Sequence, residues 1–162
     1  MTKLTNKTKF IAHTAIIAAL YAVLTLVLAP FSYGTVQVRV SELLTLLPAL
    51  TPAAIPGVFV GCLIANIYTG SVIDIIFGSL TTLAAAYCTY KLRGKKWLMP
   101  IPPILLNALV VGYYLTLQFG GITVMNMLSV GAGQIVACYI LPIYFILEFE
   151  NIKARVGKFF RY

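Results

Sequence analysis

The chain has 162 residues and a formal net charge of +8, yet 60% of it is hydrophobic and only 10% is charged. Soluble domains carry roughly 25% charged residues, so a mean hydropathy of +0.95 excludes a water-soluble fold and marks an integral membrane protein. A spanning helix uses about 20 apolar residues, which allows about six of them and leaves no length for a soluble catalytic or nucleotide-binding domain.

A basic stub with Lys3, Lys7 and Lys9 precedes span one, 10–29. That run is too long for a secretory signal and lacks an A-x-A cleavage pattern, so it reads as a retained anchor. Pro30 and the turn-like Ser32-Tyr33-Gly34 close it. Span two, 40–51, is punctuated by Pro48. About ten apolar residues cannot cross a core of ~30 Å at 1.5 Å per residue, so it is either a short broken helix or one arm of a re-entrant hairpin. Span three, 53–69, contains Pro56, and span four, 72–90, stops at a basic loop holding Lys91, Arg93, Lys95 and Lys96. Pro100, Pro102 and Pro103 shape the start of span five, 97–119, and Gly120-Gly121 breaks the chain before span six, 123–147. The expectation is one integral membrane domain over 1–162, an all-α bundle of six transmembrane helices. Discontinuous helices at membrane depth are tolerated where they border protein or a water-filled cavity, and transporters build binding sites from them.

Eleven of the 12 basic residues fall in three clusters, the third being Lys153, Arg155, Lys158 and Arg161, while Arg39 stands apart. Basic residues stay on the cytoplasmic side of short loops. All three clusters are therefore expected inside, with both termini cytoplasmic and an even number of crossings between clusters, in a multi-pass protein of the plasma membrane. Because the clusters flank apolar runs, a nucleic-acid patch is not the reading.

Cys62, Cys88 and Cys138 are far apart and read as packing residues, and one histidine, His13, cannot build a metal site. Of the four acids, Glu148 and Glu150 lie among C-terminal cations and read as solvated helix-end charges. That leaves Glu42 and Asp74, both expected at the outward end of the bundle. An ionisable residue there is a candidate functional group. Arg39 and Glu42, at i and i+3, also suit a local surface pair worth under about 1 kcal/mol. Asn107, Val111, Tyr114 and Gln118 share one helical face. With Asn66, Asn126, Gln134 and Gln37, they describe a polar outer pocket, although each amide alone equally suits an interhelical hydrogen bond. Tyr33, Tyr68, Phe77, Tyr113 and Tyr114 fit an interfacial aromatic belt, and one or two could stack on a flat ligand. Small residues recur at four-residue spacing, as Ala15 with Ala19, Ala18 with Ala22, and Gly57, Gly61 and Ala65. Such ladders let helices approach closely. No phosphate loop, G-x-S-x-G or H-E-x-x-H occurs in the sequence, so neither an enzyme nor a cofactor is expected.

The stretch Thr25 to Gly34, the block Arg39-Val-Ser-Glu-Leu-Leu-Thr-Leu-Leu-Pro48, Ala54 to Asn66 and Asp74 to Leu80 resemble the QueT family of membrane proteins, most clearly over 18–90. The resemblance implies a six-helix substrate-binding S component of an energy-coupling factor transporter, taking up a queuosine precursor. It implies a transmembrane coupling subunit and two cytoplasmic ATPases as partners, and a first-helix A-x-x-x-A docking motif that Ala15 with Ala19, or Ala18 with Ala22, matches. A 7-deazaguanine is planar, with adjacent N–H donors and a carbonyl, and some precursor forms add an amine. Two carboxylates and amides suit that pattern. The corresponding expectation is that Glu42 and Asp74 divide the donor edge and the amine, Gln134 and Asn107 supply amides, Tyr114 stacks, and Arg39 holds Glu42 in place. The alternative from the residues is a stand-alone ion-coupled carrier, disfavoured because the middle of each expected helix holds only amides as polar groups.

Overall fold

The computed structural model describes residues 6–32 and 38–157, so Lys3, Tyr33, Gly34, Gln37, Lys158 and Arg161 lie outside the described residues. Every regular element among these residues is helical. Helix α1 (Asn6–Val27) is followed by a short α2 (Ala29–Ser32) that carries Pro30 in its first turn, where the missing N–H breaks no helix bond. Helix α3 (Ala54–Thr69) accommodates Pro56 in the same way and ends at Gly70, whose φ of 74° is the left-handed cap that glycine adopts without penalty. Helix α4 (Ser79–Lys91) continues from a π-helical turn, Asp74–Gly78.

Span five begins later than its apolar run does. The backbone turns through 97–100, and α5 (Ile101–Leu106) takes Pro102 and Pro103 in its first turn. A second π turn, Asn107–Val111, joins α5 to α6 (Gly112–Phe119). Helix α7 (Thr123–Ile135) runs into a third, Val136–Ile140, and ends before Pro142. Proline cannot donate to the preceding turn, so the expected span 123–147 divides into α7 with its π turn and α8 (Ile143–Leu147). Beyond it, α9 (Phe149–Val156) buries Phe149 and leaves Lys153 and Arg155 exposed. The sequence reading had no helix there.

Among the described residues, three helices are long and apolar enough to cross a membrane, namely Asn6–Val27, Ile101–Gln118 and Thr123–Ile140. Their outer faces carry Ile11, Val27, Leu105 and Leu128, each more than half exposed, as hydrocarbon-facing residues are.

The segment left open between a broken helix and a hairpin is a 3-10 helix, Val40–Ala49. Ten residues at about 2.0 Å each reach ~20 Å, further than an α-helix of that length though short of a full crossing. It packs against α1, α3, α4 and the Val136–Ile140 turn at once. The chain is thus threaded through the centre of the bundle, with Ser41, Glu42, Leu44, Thr45 and Leu46 buried.

Two of the four-residue ladders interlock. A Cβ on Gly61 would lie 2.6 Å from Ala18 O and 2.6 Å from Tyr21 Cβ, and one on Gly57 would lie 2.9 Å from Ile17 Cβ. Helix α1 therefore rests directly on the glycine face of α3, and the contact aims Tyr21 at the core.

Candidate functional site

Glu42 is the most confined charge-bearing residue described, at 1% exposure. The Tyr21 hydroxyl donates to Oε1, and Asn107 Nδ2 donates to Oε2 at 3.3 Å. Thr82 and the Arg39 guanidinium lie near the carboxyl group. The residue's carbonyl accepts from Thr45 Oγ1 at 2.5 Å. A buried carboxyl group is tolerated only with such partners. Its depth follows from where they sit. Tyr21 is in the second half of α1, Asn107 is seven residues into the Ile101–Gln118 helix, and Cys138, whose sulfur reaches Glu42 O at 3.7 Å, is near the C-terminal end of Thr123–Ile140. Glu42 thus lies at mid-height, not at the outward end. A solvated surface pair with Arg39 is excluded by its burial.

Asp74 opens the first π turn and is half-buried. Tyr114 donates its hydroxyl to Asp74 Oδ1 at 2.5 Å, and Asn66 Nδ2 donates to Asp74 O at 2.8 Å. Gly78 leaves the room for this. A Cβ there would meet Asn66 Nδ2 at 3.1 Å and the Tyr114 hydroxyl at 3.4 Å.

The two acids are joined through Cys62. Its sulfur faces Asn66 Nδ2 at 3.4 Å, Thr82 Oγ1 at 3.4 Å and Arg39 Nη1 at 3.7 Å. Asn66 leads from it to Asp74, and Thr82 and Arg39 lead to Glu42. The arrangement repeats itself: each carboxylate takes a tyrosine hydroxyl, and an asparagine amide serves the same residue. Groups of this kind accept from adjacent N–H donors when the tyrosine moves aside.

Beside Asp74 opens a cavity of about 410 Å³. Phe77, Tyr113 and Tyr114 give it aromatic walls, and Leu109, Leu117 and Met127 complete an apolar lining. Tyr114 belongs to both features, presenting its ring to the cavity and its hydroxyl to Asp74. That combination suits a flat ligand with a polar edge.

The profile of the QueT transporter family matches residues 11–151. The chain belongs to the QueT transporter family. The matched span takes in Glu42, Asp74 and all their partners above. Over 80 residues, 48% of the chain, it is 41% identical to a protein of Lactococcus lactis subsp. cremoris (strain MG1363) named "Queuosine precursor transporter QueT". In that match the chain spans 47% of the relative's length. No solved structure matches it. Transporter family and apolar helices together make this QueT-family chain a membrane protein.

The structure divides the other candidates. Asn107, Val111 and Tyr114 are buried along one face, and Gln118 extends it outward to Ser71 at 3.2 Å. Gln134 is buried, and Cys138 Sγ contacts its Oε1 at 3.6 Å on the Glu42 side. Asn126 is not gathered in. Its amide bonds Thr116 Oγ1 at 3.0 Å and Gly120 O at 3.2 Å, tying the α6–α7 turn, where Gly120 and Gly121 have φ of 78° and 91°. Ala18 and Ala22 are 4% and 6% exposed and pack inward, so they cannot meet another chain. Ala15 and Ala19 are exposed. Cys88 is exposed and not a packing residue, whereas Cys62 and Cys138 are buried with polar neighbours.

Tyr21, Thr82 and Cys62 were not picked from the sequence. In this QueT-family chain a signal existed for the first: Tyr21 and Thr25 lie one turn apart beside Ala18 and Ala22, a polar stripe on the small-residue face of an apolar helix. Thr82 and Cys62 carry no signal until Glu42 is placed next to them.

Proposed function

We propose that the chain is the substrate-binding S component of an energy-coupling factor importer, capturing a queuosine precursor of the 7-deazaguanine type from outside. The observation that carries the reading is an aromatic-walled cavity whose Tyr114 bonds Asp74, with a second tyrosine-closed carboxylate, Glu42, linked to Asp74 through the Cys62 cluster, in a member of a transporter family. The name of the Lactococcus lactis relative supports the substrate class. Glu42 and Asp74 take the donor edge and the amine, Asn107 and Gln134 serve the carbonyl, and Tyr114 offers its ring. Arg39 and Asn66 hold the two acids from behind. In this reading the chain is one six-helix membrane domain of the plasma membrane, the 3-10 helix Val40–Ala49 replacing one full span. Both termini and the three basic clusters face the cytoplasm, and ATP hydrolysis resides on two partner ATPases. Calorimetric titration of the detergent-solubilised chain with queuine, 7-cyano- and 7-aminomethyl-7-deazaguanine, with guanine and riboflavin as controls, tests it. One-to-one binding of one deazaguanine is expected, and binding of none of the three overturns the substrate.

The coupling subunit docks on the outer face of α1, where Ala15 and Ala19 are exposed and leave room for a close helix. Ala15→Leu with Ala19→Leu is expected to abolish co-purification with the coupling subunit and leave the titration unchanged. Retained assembly moves the interface elsewhere.

One observation favours a second reading, a stand-alone ion-coupled carrier: Glu42 supplies the mid-height ionisable group that such a carrier needs. Uptake into vesicles by this chain without ATPases supports that alternative, and uptake strictly dependent on them removes it.

A further inference from the structure

Two basic clusters more than fifty positions apart in sequence meet on one surface. Lys96 Nζ donates to Leu147 O at 3.3 Å, and Met99 packs with Phe149 and Ile146 in a single buried cluster. These contacts fasten the loop after α4 to the α8–α9 junction. Lys91, Arg93, Lys95 and Lys96 thereby come to the same end of the molecule as Lys153 and Arg155, where Glu148 and Glu150 also lie. Asn151 Nδ2 already holds Glu148 at 2.6 Å.

The surface is not purely ionic. Trp97, Leu98, Leu147 and Tyr144 are 49%, 38%, 52% and 72% exposed beside the cations. The Trp97 carbonyl accepts from the Tyr139 hydroxyl, which pins the backbone at the ring. Arg93 stacks over the Tyr90 ring at 4.4 Å, and Lys96 and Lys153 lie over Trp97 and Phe149 at 5.9 and 5.6 Å. Cations next to exposed aromatic and aliphatic side chains form a boundary with a charged side and an oily side. A soluble anion uses only the first of these. A lipid uses both, with its phosphate on the lysines and its acyl chain on Trp97 and Leu98.

We propose that this surface is a binding site for an anionic phospholipid, independent of the transported solute. The chain's one tryptophan sits in the site and serves as the probe. The full chain is reconstituted in bilayers doped with phosphatidylglycerol or phosphatidylcholine brominated high on the acyl chain, and quenching of Trp97 is read against mole fraction. A single well-placed cation contributes enough to give about a fivefold preference for the anionic lipid. The wild type is therefore expected to be half-quenched at no more than about one fifth as much phosphatidylglycerol as phosphatidylcholine, with the gap narrowing as salt screens the charges.

Lys95→Gln with Lys153→Gln and Arg155→Gln leaves the Lys96 tie to Leu147 in place, removes three of the six cations and is expected to at least halve the preference for the anionic lipid. Unchanged quenching by brominated phosphatidylcholine shows that the variant remains embedded. Lys7→Gln with Lys9→Gln, on the N-terminal stub, is expected to keep the preference. Equal quenching in the wild type, a preference undiminished by the triple substitution, or its loss in the N-terminal variant each overturns the site.

Discussion

Glu42→Gln is expected to weaken binding of the queuosine precursor at least about tenfold, ~1.4 kcal/mol, with the folded chain intact. Glutamine keeps the volume and one acceptor oxygen, so Tyr21 or Asn107 still has a partner. What disappears is the negative charge and the second acceptor, and with them the match to adjacent N–H donors. Asp74→Asn is expected to act in the same direction and less strongly. Asp74 is half-buried whereas Glu42 is 1% exposed, and a charge pair in the drier place is screened less. Titration of both variants with the ligand that the wild type binds decides it. Affinity unchanged in both removes the carboxylates from the site.

The second large effect is on the fold and reaches the site through it. Gly61→Ala puts a methyl group 2.6 Å from Ala18 O and 2.6 Å from Tyr21 Cβ. The first of these is backbone, so α1 has to move off α3. Overpacking of this kind costs about 1–3 kcal/mol, read as a lower thermal midpoint in detergent. The same shift withdraws the Tyr21 hydroxyl from Glu42, so ligand affinity falls as well. Gly94→Ala, where a new Cβ meets nothing within 4 Å, is expected to change neither. A Gly61→Ala protein as stable as the wild type contradicts the close approach of the two helices.

Both results depend on one packing arrangement. The glycine ladder of α3 brings α1 in, α1 brings Tyr21 in, and Tyr21 meets a carboxylate held at the centre by the 3-10 helix. The site is therefore built on contacts between elements and not on any single helix face. Its rigidity comes from small residues on α3.

The chain's place in a membrane and its helical class were legible in the sequence, which also singled out its two candidate acids. Composition decides the solvent. With four acids, two of them among C-terminal cations, Glu42 and Asp74 are left by elimination, and the 3.6-residue period puts Asn107 and Tyr114 on one face. Span limits were legible where glycine ends a helix, as at Gly70 and Gly120, because that effect is local, whereas the break at Pro142 inside the expected span 123–147 was not read. Tertiary structure alone decided the height of Glu42, since a 3-10 winding and a path through the bundle are set by packing against α1, α3, α4 and the Val136–Ile140 turn. It also decided which alanine pair faces inward. Both pairs satisfy the four-residue period, but Ala18 and Ala22 share their stripe with Tyr21, whose hydroxyl is stable in an apolar bundle only where it reaches the buried carboxylate.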